Sequence, residues 1–271
     1  MPLTVETYAS AAEAQRALGP EARYHGGGTL VMRDVNAGDT RFRRLVRTTD
    51  PTLSRIAPQG GRLEIGAGVT MAEIIDSREC RFLAAAARAV GGPAVREQAT
   101  VGGNLFAEHP YGDFTAALLA LDATVTTADG RERPLPDLLT ERARAGASTT
   151  ARLLVTKVSV ARPAEGTFRF AKVSRVKPKG ISVLSIAAWL PLSGGRVSGA
   201  RVAFGAMGPT PLRHPAVERA LEGRALDPTG IAPALAAVSD GLSPQDDAIA
   251  TAWYRRQVAP VHLRRLLLGE P

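Results

Sequence analysis

The 271-residue chain is 45% hydrophobic and carries 34 basic against 26 acidic residues, for a formal net charge of +8. This composition is typical of a folded protein with one large or two modest domains and excludes a mainly disordered chain. Because Cys80 is the single cysteine, the chain cannot form an internal disulfide, nor hold by itself an iron–sulfur cluster with four thiolate ligands. No apolar run approaches the roughly 20 residues of a membrane span, and the first residues lack the features of a secretion signal, so we expect a cytoplasmic protein.

The first 160 residues predict short helices and strands in alternation. The sequence "SAAE" at 10–13 is a capping box that opens a helix ending at Gly19, and Thr70 with Glu73 opens a second helix in the same way. Strands are predicted at "ARYHGGG", "FRRLVRTT", "RLEIGAGVT" and "RLLVTKVSV", and a further helix at about 80–90. "LLALDATVTT" predicts a helix or a strand pair, and residues 141–151 predict a polar connector or lid-like segment.

The pattern changes after "ARPAEG" at 161–166, where we place the boundary between a domain of residues 1–162, with lobes of about 1–50 and 51–162, and a domain of residues 166–271. Beyond this boundary, "FRFAKVSRVK", "SVLSIAAWLPL" and "RVSGARVAFGAM" predict a three-stranded antiparallel sheet. Helices are expected at about 214–222, 230–239 and 245–268, with Pro260 kinking or interrupting the last one. The mixture predicts an α+β fold in two parts.

Two glycine-rich segments are the strongest candidates for a binding site. They are "HGGGT" at 25–29 and "TVGGN" at 100–104. Glycine lets a ligand approach backbone N–H groups, and two such arrays suit a pyrophosphate, although two unrelated turns would show the same pattern. The sequence has neither G-x-G-x-x-G opening a helix nor G-x-x-x-x-G-K-[ST], which argues against a doubly wound dinucleotide fold and a P-loop.

A longer pattern extends these segments. "HGGGTL" matches A-G-G-T-[DS]-L, and "TVGGNLFAEHPYGDFTAALLALDATV" matches [TS]-[IVL]-G-G-N followed by G-D and an apolar run ending in L-D-A. With both matches the sequence resembles the flavin-binding subunit of the molybdenum hydroxylases, the group that includes carbon monoxide dehydrogenase and xanthine dehydrogenase. The resemblance covers residues 20–271. It implies a two-lobed FAD-binding domain of the vanillyl-alcohol-oxidase type, followed by a smaller domain of sheet and helices.

The resemblance also implies a cofactor and partners. FAD is bound non-covalently, and it receives electrons from [2Fe-2S] clusters and passes them to an external acceptor that the sequence does not identify. The clusters and the molybdenum cofactor lie in an iron–sulfur subunit and a molybdopterin-binding subunit, and the whole enzyme is expected to be a dimer of heterotrimers.

Site residues follow from the resemblance position by position. The backbone around the FAD pyrophosphate is that of His25, Gly26, Gly27, Gly28, Thr29, Thr100, Val101, Gly102, Gly103 and Asn104. Asp113 would accept hydrogen bonds from the adenosine part, and Leu154 lies in a strand on the flavin side. Lys172 would lie near the isoalloxazine, where a cation stabilises the reduced ring. The sequence assigns no catalytic residue and no metal ligand to this chain.

The chain departs from the family pattern at three positions. Gly28 replaces a Thr or Asn, which removes one side-chain hydrogen bond to phosphate, and Gly180 replaces an acidic residue beside the flavin. His25 replaces a small residue, which leaves covalent attachment of flavin to its ring as an alternative. We expect His109 to be a surface residue and Cys80 a half-buried one, with a low-pKa thiolate at Cys80 as the alternative.

Other functions remain open at the level of sequence. A stand-alone flavin oxidase or dehydrogenase of a small molecule would need a proton-abstracting residue, and the sequence offers no convincing candidate. The net charge of +8 also permits a nucleotide-binding or nucleic-acid-binding protein. We expect no nucleic-acid partner, because the arginines are scattered and few aromatic residues lie between them.

Overall fold

The computed structural model describes residues 2–150, 153–176 and 180–270, with the backbone alone for 145–150. Helices and strands alternate through these residues, so the predicted α+β class is confirmed. Within the same residues, the strands form sheets of three, five and four strands and one two-stranded ribbon. None of the helices in this part of the chain is both long and apolar enough to cross a membrane.

Residues 4–48 form a small parallel sheet with two helices. The elements are β1 (Thr4–Tyr8), α1 (Ala11–Ala17), β2 (Ala22–Tyr24), α2 (Val31–Asn36) and β3 (Arg44–Thr48). Strand β3 lies between β1 and β2 and pairs with both in parallel. The capping box predicted at Ser10 is present, because its hydroxyl accepts the N–H of Glu13 and its own N–H donates to the Glu13 carboxylate. The sequence patterns miss β1 and α2.

Residues 51–161 form a five-stranded antiparallel sheet with its own helices. The strands are β4 (Ile56–Gln59), β5 (Arg62–Gly66), β6 (Thr124–Thr127), β7 (Glu132–Pro134) and β8 (Val155–Ala161), in the order β4-β5-β8-β6-β7. The helices are α3 (Met71–Asp76), α4 (Ala84–Arg88), α5 (Pro93–Arg96), α6 (Val101–Leu105), α7 (Asp113–Ala120) and α8 (Leu135–Thr150), and 3₁₀ turns lie at Pro51–Ser54 and Arg81–Leu83. The predicted connector at 141–151 is wrong as far as residue 150, because α8 continues to that point, and residue 151 lies outside the described residues.

The remaining residues form an antiparallel sheet covered by helices. The elements are β9 (Phe168–Ser174), β10 (Ser182–Trp189), the ribbon of β11 (Leu192–Ser193) and β12 (Arg196–Val197), β13 (Arg201–Gly205), β14 (Leu212–Arg213), α9 (Pro215–Leu221), α10 (Ala232–Ala237) and α11 (Ala252–Leu268). The sheet has four strands in the order β14-β13-β10-β9, rather than the predicted three, because the short β14 pairs with β13.

The last helix begins later than the sequence predicts. The carboxylate of Asp247 accepts the N–H groups of Ile249 and Ala250, and this local turn competes with helix formation. Helix α11 therefore starts at Ala252, where Thr251 is the N-cap, and it continues past Pro260 without interruption.

Helix α7 joins the two larger sheets. All eight of its residues, from Asp113 to Ala120, are buried. Phe114 and Leu118 belong to one apolar cluster that includes residues of β5, β6 and β8 on one side and Ala187 of β10 on the other. The N-terminus of α7, which follows the second glycine segment, is therefore held at the junction of these sheets.

Candidate functional site

The two glycine segments lie in direct contact. A Cβ atom on Gly27 would be 1.4 Å from the carbonyl oxygen of Gln98, so only glycine permits this approach of the two backbones. A Cβ on Gly26 would be 3.3 Å from Oγ1 of Thr100, and a Cβ on Gly103 would be 3.1 Å from the same oxygen. The structure therefore brings the two segments predicted from the sequence to one place, with the Thr100 hydroxyl between Gly26 and Gly103.

The first segment presents backbone donors that have no acceptor among the described residues. It begins where the N–H of His25 donates to the carbonyl of Val46, 2.8 Å away, and it ends at helix α2. Among the hydrogen bonds between described residues, none has the N–H of Gly26, Gly27, Gly28 or Thr29 as its donor. Consecutive N–H groups without internal acceptors form a concave array that suits an anionic group.

The second segment is part of a helix rather than a second array of free backbone donors. Thr100 is the N-cap of α6, and its Oγ1 accepts the N–H of Gly103 at 3.0 Å. The N–H groups of Val101 and Gly102 donate to the carbonyls of Val69 and Ala67, both at 2.8 Å. These backbone donors are consequently already used inside the protein.

Individual residues of the second segment differ in what they expose. Thr100, Val101, Gly102 and Asn104 are buried, whereas Gly103 is exposed. A Cβ on Gly102 would be 2.8 Å from the Cβ of Ala67, so this glycine allows α6 to pack against the chain after β5. Asn104 donates from its side chain to the carbonyl of Thr100 at 2.9 Å, which stabilises the turn. Gly103 is therefore the residue of this segment that a ligand can approach.

Two features of the structure explain why residue 28 is a glycine. The φ of Gly28 is +77°, which lies in the left-handed region that favours glycine. A Cβ at this position would also be 2.6 Å from Nε2 of His25, so the imidazole occupies the space that a side chain at residue 28 would need. The two departures from the family pattern, His25 and Gly28, are therefore coupled sterically.

Asp113 and Lys172 form an ion pair instead of lying at separate ends of the site. One carboxylate oxygen of Asp113 accepts the Ser182 hydroxyl at 2.6 Å, and the other is 2.9 Å from Nζ of Lys172. Lys172 also donates to the carbonyl of Ala89 at 2.7 Å. The pair is largely buried and connects α7, α4 and the four-stranded sheet, and both Asp113 oxygens have partners within the chain.

Leu154 lies at the joint between the first two sheets. It immediately precedes β8 and is 1% exposed. Its N–H donates to the side chain of Gln15 at 2.7 Å, and it packs in an apolar cluster with Ala14 and Val46 of the small sheet region. Its side chain therefore supports the relative position of the two lobes.

Gly180 lies where the structure has no room for a side chain. A Cβ on it would be 2.2 Å from the carbonyl oxygen of Val176 and 2.9 Å from the Cβ of Ser174. The acidic residue that the family pattern places here would not fit this conformation.

Two expectations about single residues are wrong. His109 is not a surface residue, because its side chain is 12% exposed and its Nε2 is 3.0 Å from a carboxylate oxygen of Asp247. Asp247 in turn contacts the fully buried Arg255, whose Nη2 is 2.6 Å away. Cys80 is fully buried and burial raises the pKa of its thiol to about 11, which excludes the alternative of a low-pKa thiolate.

Arg142 is a residue that sequence reasoning missed. From α8 it donates to the carbonyls of Leu105 and Ala107, and its guanidinium lies 5.5 Å from the ring centre of Phe106. Burial lowers the pKa of Arg142 to about 10. Arg142 therefore holds the chain at the end of the glycine-rich helix. Its position in a polar stretch of sequence gave no sign of this role.

Comparison with known families gives two matches in tandem. The model described as "FAD binding domain in molybdopterin dehydrogenase" matches residues 2–163. The model described as "CO dehydrogenase flavoprotein C-terminal domain" matches residues 169–269.

Similar proteins and structures agree with these matches. The putative xanthine dehydrogenase FAD-binding subunit XdhB of Escherichia coli K12 is 27% identical over 255 residues, which are 90% of this chain and 85% of that protein. The glyceraldehyde dehydrogenase medium chain of Sulfolobus acidocaldarius is 27% identical over 65% of this chain, and the match spans 63% of that protein's length. A chain of reconstituted CO dehydrogenase from Oligotropha carboxidovorans superimposes with a TM-score of 0.88 at 25% identity, covering 98% of this chain and 97% of that one.

Proposed function

Because this chain belongs to the family of FAD-binding domains of molybdopterin dehydrogenases, we propose that it is the FAD-carrying electron-transfer subunit of a molybdenum hydroxylase. The observation that supports this proposal most is the row of N–H groups from Gly26 to Thr29, which find no acceptor among the described residues and lie against helix α6, where Gly103 is exposed. FAD, when bound, supplies the redox chemistry, since a flavin exchanges electrons singly or in pairs.

The residues of this site fit the diphosphate of FAD. The donors of the first segment are backbone groups, which do not titrate and are held in place by the contact of Gly27 with Gln98. Gly103 contributes by having no side chain, so a bound group can lie beside the Thr100 hydroxyl. An anion with two linked charges matches such an array better than a single neutral group.

We propose that Leu154, Asp113 and Lys172, the other residues predicted for this site, hold the surrounding elements in position. Leu154 keeps the two lobes together, and the pair of Asp113 and Lys172 keeps α7 against the four-stranded sheet. Lys172 is the cation that we propose lies nearest to the isoalloxazine, at the junction of α4, α7 and β9. A positive charge there favours added electrons on a neighbouring group.

The proposed electron source is a partner subunit with [2Fe-2S] clusters, which lies in an assembly that also contains a molybdopterin-binding subunit. The relative described as a FAD-binding subunit of xanthine dehydrogenase and the structure of CO dehydrogenase support a multi-subunit enzyme. In this chain the only cysteine, Cys80, is buried with a raised thiol pKa and is not available as a cluster ligand.

The test is to isolate the chain with its partners. An affinity tag on this chain, expressed in the organism that encodes it, should recover stoichiometric subunits containing iron, acid-labile sulfide and molybdenum. Substrate added to this complex should bleach the visible absorption of the flavin. Recovery of the chain alone, with flavin that a small molecule reduces directly, would contradict the subunit role and favour a stand-alone flavoenzyme.

A further inference from the structure

The imidazole of His25 lies over the first glycine segment. The ring atoms nearest to a Cβ built on Gly28 are Nε2 at 2.6 Å, Cε1 at 3.1 Å and Cδ2 at 3.4 Å. The backbone of His25 is fixed at the end of β2 by its hydrogen bond to Val46. The distal edge of the ring, with Nε2 foremost, therefore faces the segment whose N–H groups are unpaired.

This ring has no partner of its own within the described residues. The hydrogen bonds and ion pairs between them include none with the imidazole of His25, whereas the ring of His109 has one hydrogen bond and the ring of His214 has two. The side chain is half-buried, so solvent or a ligand can reach it. An imidazole nitrogen that carries a proton is a hydrogen-bond donor, and a donor beside an anion-binding backbone strengthens that site.

We propose that the His25 imidazole donates from Nε2 to the diphosphate of the bound dinucleotide and replaces the side-chain contact that Gly28 cannot make. This inference rests on the proposed function for the identity of the ligand. It assigns to His25 a side-chain contact with phosphate, since the backbone N–H of His25 is already donated to Val46, and it makes His25 and Gly28 one functional unit.

The coupling has a steric reason. A residue at position 28 with a side chain would need both the left-handed backbone conformation and the space that the imidazole fills. A small residue at position 25 would leave that space free. The diphosphate can therefore receive a side-chain donor from position 25 or from position 28, but not from both.

The first experiment measures dissociation constants of FAD and ADP for the full chain, by flavin fluorescence and by competition. His25→Ala should weaken both by about tenfold to a hundredfold, as expected for loss of one hydrogen bond to a charged group. ADP contains the diphosphate without the flavin, so an equal loss for both ligands locates the contact at the diphosphate. His25→Gln keeps a donor of similar reach and should recover part of the loss.

The controls distinguish the loss of this contact from a change in net charge and from misfolding. Arg43→Ala removes a positive charge from an exposed position of the same lobe and should leave both dissociation constants unchanged. Thermal unfolding of each variant checks that the lobe is intact, and His25→Gln provides the comparison if His25→Ala is poorly folded. If His25→Ala and His25→Gln bind FAD within twofold of the wild type, or more tightly, the proposal is overturned.

The second experiment tests the shared space directly. Asn tolerates the left-handed conformation better than other side chains with a donor. Gly28→Asn alone should weaken FAD binding because it meets the imidazole, whereas Gly28→Asn in the His25→Ala background should bind more tightly than His25→Ala alone. Additive losses in the double variant would contradict the coupling. A wild-type chain that binds neither FAD nor ADP would overturn this proposal and the proposed function together. FAD binding that does not change when His25 is substituted would overturn this proposal alone.

Discussion

The carboxylate of Asp113 lies 2.9 Å from the ammonium group of Lys172, across the junction between helix α7 and the four-stranded sheet. The side chains are 9% and 17% exposed, so the pair is largely shielded from water. Removing one partner from such a pair leaves an uncompensated charge, and this usually costs more than the pair itself contributes.

We therefore expect Asp113→Ala to lower the free energy of unfolding by about 3 kcal/mol, measured by chemical denaturation. Lys172→Met combined with Asp113→Ala should recover part of this loss, because no charge is left unpaired. The exposed pair of Arg162 and Glu79 is the matched control, and Arg162→Ala should leave stability nearly unchanged. Equal effects at the buried and exposed pairs would show that the Asp113 contact is not structural.

Gly103→Val should separate flavin binding from folding. Gly103 is exposed, and apart from its own helix backbone a Cβ on it would come within 4 Å of the Thr100 hydroxyl alone, at 3.1 Å, so we expect a small local shift to accommodate the substitution. The valine side chain would project where a bound group lies, and FAD retention after gel filtration should be lost. Gly19→Ala, at a glycine where an added Cβ would meet no other atom within 4 Å, should retain FAD like the wild type. Normal flavin content in Gly103→Val would refute the position of the site.

Arg142→Met tests the support behind the second glycine segment. In this variant the carbonyls of Leu105 and Ala107 lose the hydrogen bonds that the guanidinium group donates. We expect the free energy of unfolding to fall by about 1–3 kcal/mol. FAD binding should weaken as well, because α6 is no longer held at its C-terminal end. Arg144→Met, an exposed position on the same helix, is the control and should affect neither quantity. If the two variants behave alike, Arg142 does not position the site.

The buried thiol of Cys80 predicts that the protein loses stability at high pH. Burial raises its pKa from 9.0 to about 11, so the folded state holds the thiol proton more tightly than the unfolded state. This contribution to stability is fully present below pH 9 and is lost as the pH rises toward about 11.

The stability difference between the wild type and Cys80→Ala should thus shrink by about 2–3 kcal/mol over this interval, because one pKa unit corresponds to about 1.4 kcal/mol. Denaturation of both proteins at pH 8 and pH 11 measures it. A difference that does not change with pH would mean that the thiol is accessible to solvent.

The sequence predicts much of this fold because its signals are local. The capping boxes at Ser10 and Thr70 are both present, and the three long β-runs of the C-terminal part become β9, β10 and β13. Strand β14 contains two residues and has no sequence pattern long enough to detect. Helix α6 forms although its glycines have a low helix propensity, because hydrogen bonds to Val69 and Ala67 and the Thr100 cap stabilise it.

The sequence predicts which segments form the site but not how they are arranged in space. Both glycine segments stand out in the sequence, yet the contact of Gly27 with Gln98, just before the second segment, joins residues about 70 positions apart and leaves no local signal. The same holds for His109 with Asp247 and for Asp113 with Lys172. The dimer of heterotrimers, the cytoplasmic location and the domain boundary at 162–166 stay predictions.

The most direct measurement is the flavin content of the purified chain after addition of FAD, gel filtration and acid precipitation. We expect one FAD per chain, released into the acid supernatant, and none in Gly27→Ala, whose Cβ would collide with Gln98. A wild-type chain that retains no flavin, or a Gly27→Ala variant that retains as much as the wild type, would contradict a flavin site at the two glycine segments.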